Sequence, residues 1–291
     1  MRLRGLLFSA CLAVMVVFLP YSVSAATPSQ GLLLSPIRTE VNLAPGTIYD
    51  GVLMVANKTA APMTVSMDAE EFSVINQQYD YAFTQESQVA KWVTFGTSEI
   101  TLAAGDSKTV AYKLSAPLSA EPGGRYISLF ASTDTGEQDG VLSSRQRIAS
   151  LLYITVLGDV TRAGHLISLT SPWAISGENK WSVAIQNTGT THFRSRYTVN
   201  IHNVLGQDVG TSTSGDALIL PGTIRLITDT LPLPPFPGLY KYIYTIGLGD
   251  TPAVTETRLV LYVPLIFMIV SSLTIVVLGW LFARQYTRKL N

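Results

Sequence analysis

The sequence predicts an all-β protein: two immunoglobulin-like β-sandwich domains in tandem, followed by one C-terminal transmembrane helix. Three observations carry that prediction. Across residues 26–258, large apolar residues recur at every second position in short runs such as Met63-Thr64-Val65-Ser66-Met67 and Trp181-Ser182-Val183-Ala184-Ile185, the period of half-buried strands. The order of strand and turn signals occurs twice. Finally, Leu259 to Ala283 contains no charged residue.

The elements follow in order. Residues 1–25 read as a secretory signal peptide: Arg2 and Arg4 precede the apolar stretch Gly5–Leu19, and the small-residue site Val23-Ser24-Ala25 follows Pro20. Residues 26–160 form the first sandwich. Its strands are separated by Pro-Gly, Asn-Lys-Thr and Ala-Gly-Asp clusters, in which glycine permits positive φ and proline presets the turn. Residues 161–258 form the second sandwich, after small and polar residues interrupt the strand pattern between Gly158 and Gly164. The halves echo each other. Val55-Ala56-Asn57-Lys58-Thr59 is answered by Ile185-Gln186-Asn187-Thr188-Gly189, Leu102-Ala103-Ala104-Gly105 by Leu220-Pro221-Gly222, and Pro122-Gly123-Gly124-Arg125-Tyr126 by Pro237-Gly238-Leu239-Tyr240. The first half carries an insertion near 72–100. Residues 259–283, at ~1.5 Å per residue, suffice to cross a ~30 Å hydrocarbon core. Arg284, Arg288 and Lys289 in the tail 284–291 place the C-terminus in the cytoplasm and the sandwiches outside the cell membrane.

Composition excludes several function classes. Lys plus Arg total 20 and Asp plus Glu total 20, so no basic field argues for nucleic acid. The single cysteine, Cys11, lies in the signal segment, leaving the exported part without disulfides or a thiol nucleophile. His165, His192 and His202 have no metal-ligand spacing, and no nucleophile elbow, phosphate loop or dinucleotide fingerprint is present. The sequence therefore predicts no enzyme, no metal and no cofactor. Asp68, Glu70 and Glu71, and separately Asp134, Glu137 and Asp139, are acidic clusters with the oxygen chemistry of a calcium site or of solvated loop charge.

Binding surfaces are better represented. Tyr79, Tyr81 and Phe83 alternate within the insertion, next to amides and carboxyls, and so are expected on one strand face. Such a face suits a saccharide; it equally suits a hairpin whose aromatic side covers the sandwich. Arg125, after two glycines, has the chemistry to meet an anionic glycan or a partner carboxylate. Trp92 is assigned to core packing. Tyr240, Tyr242 and Tyr244 share a face that reads as core or as partner contact.

Ser35-Pro36-Ile37-Arg38, Leu43-Ala44-Pro45-Gly46, the strand and turn from Val52 to Thr59, Trp92, Leu102 to Gly105, Pro122 to Phe130 and Arg147 to Gly158 together resemble the first domain of the WxL-interacting proteins of Gram-positive surfaces. The order of signal peptide, two sandwiches, helix and short basic tail is similar as well. That resemblance implies a non-catalytic surface protein whose partners are peptidoglycan or a wall-associated surface protein. The first sandwich is also similar in shape to pilus-chaperone sandwiches, which implies a protein client bound by strand addition at an exposed sheet edge.

Overall fold

The computed structural model describes residues 31–134, 145–213 and 215–290. Ten strands build the first sandwich: β1 (Leu32–Ser35), β2 (Arg38–Leu43), β3 (Ile48–Asn57), β4 (Met63–Val74), β5 (Tyr81–Thr84), β6 (Val93–Phe95), β7 (Glu99–Leu102), β8 (Ser107–Ser115), β9 (Gly123–Asp134) and β10 (Arg145–Val156). One sheet has the order β1-β3-β8-β6; the other runs β2-β10-β9-β4-β5, with β7 also on β4. The period of two becomes burial. Val110, Tyr112 and Leu114 of β8 point inward while their neighbours are exposed, and they meet Leu53, Val55, Leu129 and Leu152 in the core between the sheets. Trp92 packs on the edge of that core.

The second sandwich comprises β11 (Gly164–Thr170), β12 (Ala174–Ile175), β13 (Lys180–Asn187), β14 (Phe193–Ser195), β15 (Tyr197–Asn203), β16 (Asp208–Thr213), β17 (Ala217–Ile219), β18 (Ile224–Thr230), β19 (Gly238–Leu248) and β20 (Thr251–Tyr262). Its two main sheets are β11-β13-β18 and β12-β20-β19-β15-β16. Trp181 is the centre of its core, edge-on to Tyr197 at 4.6 Å between ring centroids and 5.0 Å from Tyr244. Tyr240, Tyr242 and Tyr244 all point inward, so their shared face is core.

The internal echo is topological as well as sequential. In each half the first strand is divided between the two sheets: β1 pairs antiparallel with β3 and β2 parallel with β10, just as β11 pairs with β13 and β12 with β20. Asn57 and Asn187 end equivalent strands, both fully buried. The Asn57 amide donates to the carbonyls of Ala61 at 2.7 Å and Ala103 at 3.0 Å, and that of Asn187 to Thr191 at 3.0 Å and Ile219 at 2.7 Å. The matching turns carry Gly105 at φ 75° and Gly222 at φ 71°, a left-handed conformation that glycine adopts without a Cβ penalty.

The uncharged C-terminal stretch is divided between two elements. Leu259 to Tyr262 complete β20, paired with β19, and the helix α1 (Leu265–Leu290) starts only afterwards. Leu265–Ala283 is long and apolar enough to cross a membrane.

Candidate functional site

The aromatic residues singled out in the insertion go to different places. Tyr81 and Phe83 are alternate residues of β5. Tyr81 lies edge-on to Phe72 at 5.2 Å, and Phe83 edge-on to Phe130 at 5.0 Å. Tyr79 does not join their strand face. It sits in the preceding turn, which the Asn76 side chain closes by donating to Asp80 Oδ2 at 2.7 Å and accepting from the Asp80 N–H at 3.1 Å. There Tyr79 holds φ 72°, uncommon for a bulky residue, and its ring is buried in the second sandwich. Its hydroxyl oxygen accepts from the Leu220 N–H at 2.8 Å and lies 2.8 Å from Thr223 Oγ1. The Arg225 guanidinium covers the ring at 4.3 Å. Burial raises the Tyr79 pKa, partly offset by Thr223 and Leu220. The insertion thus covers a neighbour and presents no three-ring platform.

Tyr79 belongs to a buried junction between the sandwiches. Phe72, Tyr79 and Tyr153 share one hydrophobic cluster with Trp181, Phe193 and Tyr244. His192 stands 5.6 Å from both the Tyr126 and Tyr153 rings, with Nδ1 3.4 Å from the Tyr126 hydroxyl. Burial lowers its pKa to about 4; Arg162 and Arg194 push the same way and Glu40 opposes them. The Gly124 N–H donates to Thr190 O at 2.9 Å, the Leu226 N–H to Gln77 O at 2.9 Å, and Arg194 pairs with Glu40 across the seam.

The remaining candidates are engaged within their own sandwich. Arg125 Nη1 donates to Gly124 O at 2.8 Å and Nη2 to Glu121 O at 3.3 Å. Of the acidic cluster, Asp68 and Glu70 pair with Arg147, while Glu71 accepts from Ser87. Glu137 and Asp139 lie outside the described residues.

An open backbone edge remains. β10 pairs with β9 along its whole length, Arg145 to Val156, but β2 covers its other side only from Leu151 onward. The Leu151 N–H donates outward, to Ile37 O at 2.9 Å. By the two-residue alternation of a strand, Ala149 and Arg147 turn their N–H and C=O the same way, and no described strand pairs there. β1 approaches this edge but is paired with β3, not with β10. Between them lies a cleft of ≈ 420 Å³ whose walls include Leu32, Leu34, Ile37, Lys58 and Ile148. Ile37 is 74% exposed. Arg147 fixes the open half of β10: it pairs with the buried Glu70 and lies 3.3 Å over the Phe130 ring. Composition and periodicity did not reveal this site. The one hint was Pro36, which has no N–H to donate and stands between β1 and β2, where the chain changes sheets.

Comparison of the sequence with protein-family models and with curated proteins finds no match. Among solved structures, the class 5 fimbriae chaperone CfaA is similar at 13% identity and TM-score 0.43, over 81% of this chain and 100% of that one. A chain of the Salmonella enterica SafA pilin–SafB chaperone complex is similar at 13% identity and TM-score 0.38, over 81% of this chain and 98% of that one. A Porphyromonas gingivalis W83 protein of unknown function gives 14% identity and TM-score 0.32, over 79% and 99%.

Proposed function

We propose that this chain is an exported, membrane-tethered, non-catalytic binding protein whose first sandwich takes up an extended segment of a wall-associated surface protein along the open edge of β10. The observation that carries the reading is that the backbone at Arg147 and Ala149, with which no described strand pairs on this side, coincides with an apolar cleft directly beside it. Main-chain hydrogen bonds from an added strand supply affinity, and a pocket for alternate side chains supplies selectivity. The cleft has room for several aliphatic side chains, so the expected partner alternates apolar and polar residues and inserts its apolar ones against Ile148. An edge left open in this way invites uncontrolled pairing unless a partner or a device covers it.

The test places a photo-crosslinking amino acid at Gln146 in the full chain in its own cells, with Glu86 on the far side of the sheet as control. A discrete protein adduct is expected at Gln146 and absent at Glu86. Ala149→Pro removes one outward N–H without touching the β9 ladder, and Ile148→Asp places a charge in the cleft; each should reduce the adduct at least tenfold with the β-sheet circular dichroism unchanged. The reading fails if Ala149→Pro leaves the adduct intact, or if the chain is retained by purified peptidoglycan and by no protein.

A further inference from the structure

We infer that the lower end of the second sandwich is itself a membrane-contact surface, seated in the headgroup layer of the bilayer that α1 crosses. The inference rests on reading Leu265–Ala283 as a membrane span.

The connection between sandwich and helix has no slack. Tyr262 is the last residue of β20, yet the Val263 N–H still donates to Ile175 O at 2.9 Å, and Pro264 O already accepts the first helical hydrogen bond, from the Met268 N–H at 3.2 Å. Nineteen residues at ~1.5 Å per residue fill a ~30 Å hydrocarbon core almost completely, which puts Leu265 at its boundary. The three peptide steps back to Tyr262 span at most about 10 Å, comparable with the ~5–8 Å thickness of one headgroup layer. Whatever surrounds Tyr262 therefore lies in or directly above the headgroups.

That surrounding is unusually apolar for a solvated loop end. Strand register brings four chain segments there: Gly238 pairs with Tyr262, Leu239 with Leu261, Asn203 with Tyr240, and Ala174 with Leu261. They display Trp173, 79% exposed, Leu205, 79%, and Phe236, 72%, together with Val204, Leu239 and Leu259. Val204, Leu239 and Leu259 line one depression, and exposed apolar surface gathered at one end of a sandwich in this way marks an interaction site. His202, Asn203 and Lys241 line the shallow depression on this face and supply the polar groups that suit a headgroup region. Tryptophan and tyrosine concentrate at that depth because the ring body prefers hydrocarbon and its polar group prefers water. The bilayer is the occupant because the patch continues directly into the helix.

The experiment uses the full chain with its single cysteine replaced (Cys11→Ser), reconstituted into phosphatidylcholine–phosphatidylglycerol vesicles. Spin labels are attached at Phe236→Cys, Leu205→Cys, Val204→Cys, Leu273→Cys and Glu86→Cys, and accessibility to oxygen is compared with accessibility to a water-soluble nickel chelate. Labels at 204, 205 and 236 should report a shallow membrane depth, between the deep value at 273 and the aqueous value at 86. If they match residue 86 while 273 remains lipid-exposed, the contact surface is refuted and the span stands. An aqueous value at 273 refutes the span and the inference together. Shielding of 205 and 236 from both reagents means that protein covers the patch, and also overturns the proposal.

Discussion

Asn57 and Asn187 show how much of each sandwich hangs on one side chain. Each amide donates to two carbonyls of the flanking turns, and each side-chain oxygen accepts a turn N–H, from Thr59 at 2.9 Å and from Gly189 at 2.8 Å. Alanine at either site would leave several buried backbone groups without partners, at about 1–3 kcal/mol for each group that water cannot reach. Asn57→Ala and Asn187→Ala should therefore each cost at least about 2 kcal/mol in denaturant unfolding, whereas the exposed neighbour Lys58→Ala should stay within ~0.5 kcal/mol. His192 offers a second prediction, in pH. Its folded pKa of about 4 lies below the ordinary 6.5, so between those values the unfolded chain binds more protons and stability rises with pH. That contribution is complete above about pH 6.5 and is lost as pH falls from there toward 4, by up to ~3 kcal/mol. Denaturant midpoints measured from pH 7 to pH 4 should fall, and His192→Phe, which keeps a ring between Tyr126 and Tyr153, should remove that part of the slope.

The decisive element is the turn between β4 and β5, where a segment of one sandwich becomes part of the other. Gln77 O meets the Leu226 N–H on the outer side of β18, so the insertion covers an edge strand that would otherwise stand open. Tyr79→Phe should cost about 1–3 kcal/mol, because the buried Leu220 N–H loses its acceptor. Tyr79→Ala removes the ring beneath Arg225 as well, and should convert one cooperative unfolding transition into two that separate by sandwich. Tyr79→Gly should be milder than Tyr79→Ala by about 1 kcal/mol, since only the alanine must hold φ 72°; calorimetry of the three variants measures both effects. The alternation Tyr79-Asp80-Tyr81-Ala82-Phe83 reads as one strand because period two is all that a local pattern reports. Strand geometry begins only at Tyr81, for a reason that lies in the Asn76–Asp80 closure and in a tyrosine pocket some 140 residues away in the chain. The two-sandwich pattern and the matched asparagine turns were legible because both are local. The open edge of β10 was not, because the run from Arg147 to Gly158 says nothing about what lies beside it.

At the scale of the molecule, the boundary between the second sandwich and the helix decides whether that sandwich survives without α1. Composition places that boundary at Leu259, since Leu259 to Ala283 is uniformly uncharged. The fold places it later: an apolar strand end feeding an apolar helix gives one uninterrupted run, and hydropathy cannot divide it. Val260 is fully buried and Tyr262 nearly so, and both close the core beneath Tyr240 and Ile175. Truncation after Val263 should therefore leave a two-sandwich fragment with intact β-sheet circular dichroism and a cooperative thermal transition. Truncation after Arg258 removes four paired residues of β20 and two core side chains, each contributing about 1.5–3 kcal/mol by burial, and it strips the start of β19 of its partner strand. The total approaches the ~5–15 kcal/mol that stabilises an ordinary domain, so the second sandwich should lose its transition while the first keeps its own. Should the chain ending at Arg258 unfold as cooperatively as the one ending at Val263, the last four residues of β20 belong with the helix after all.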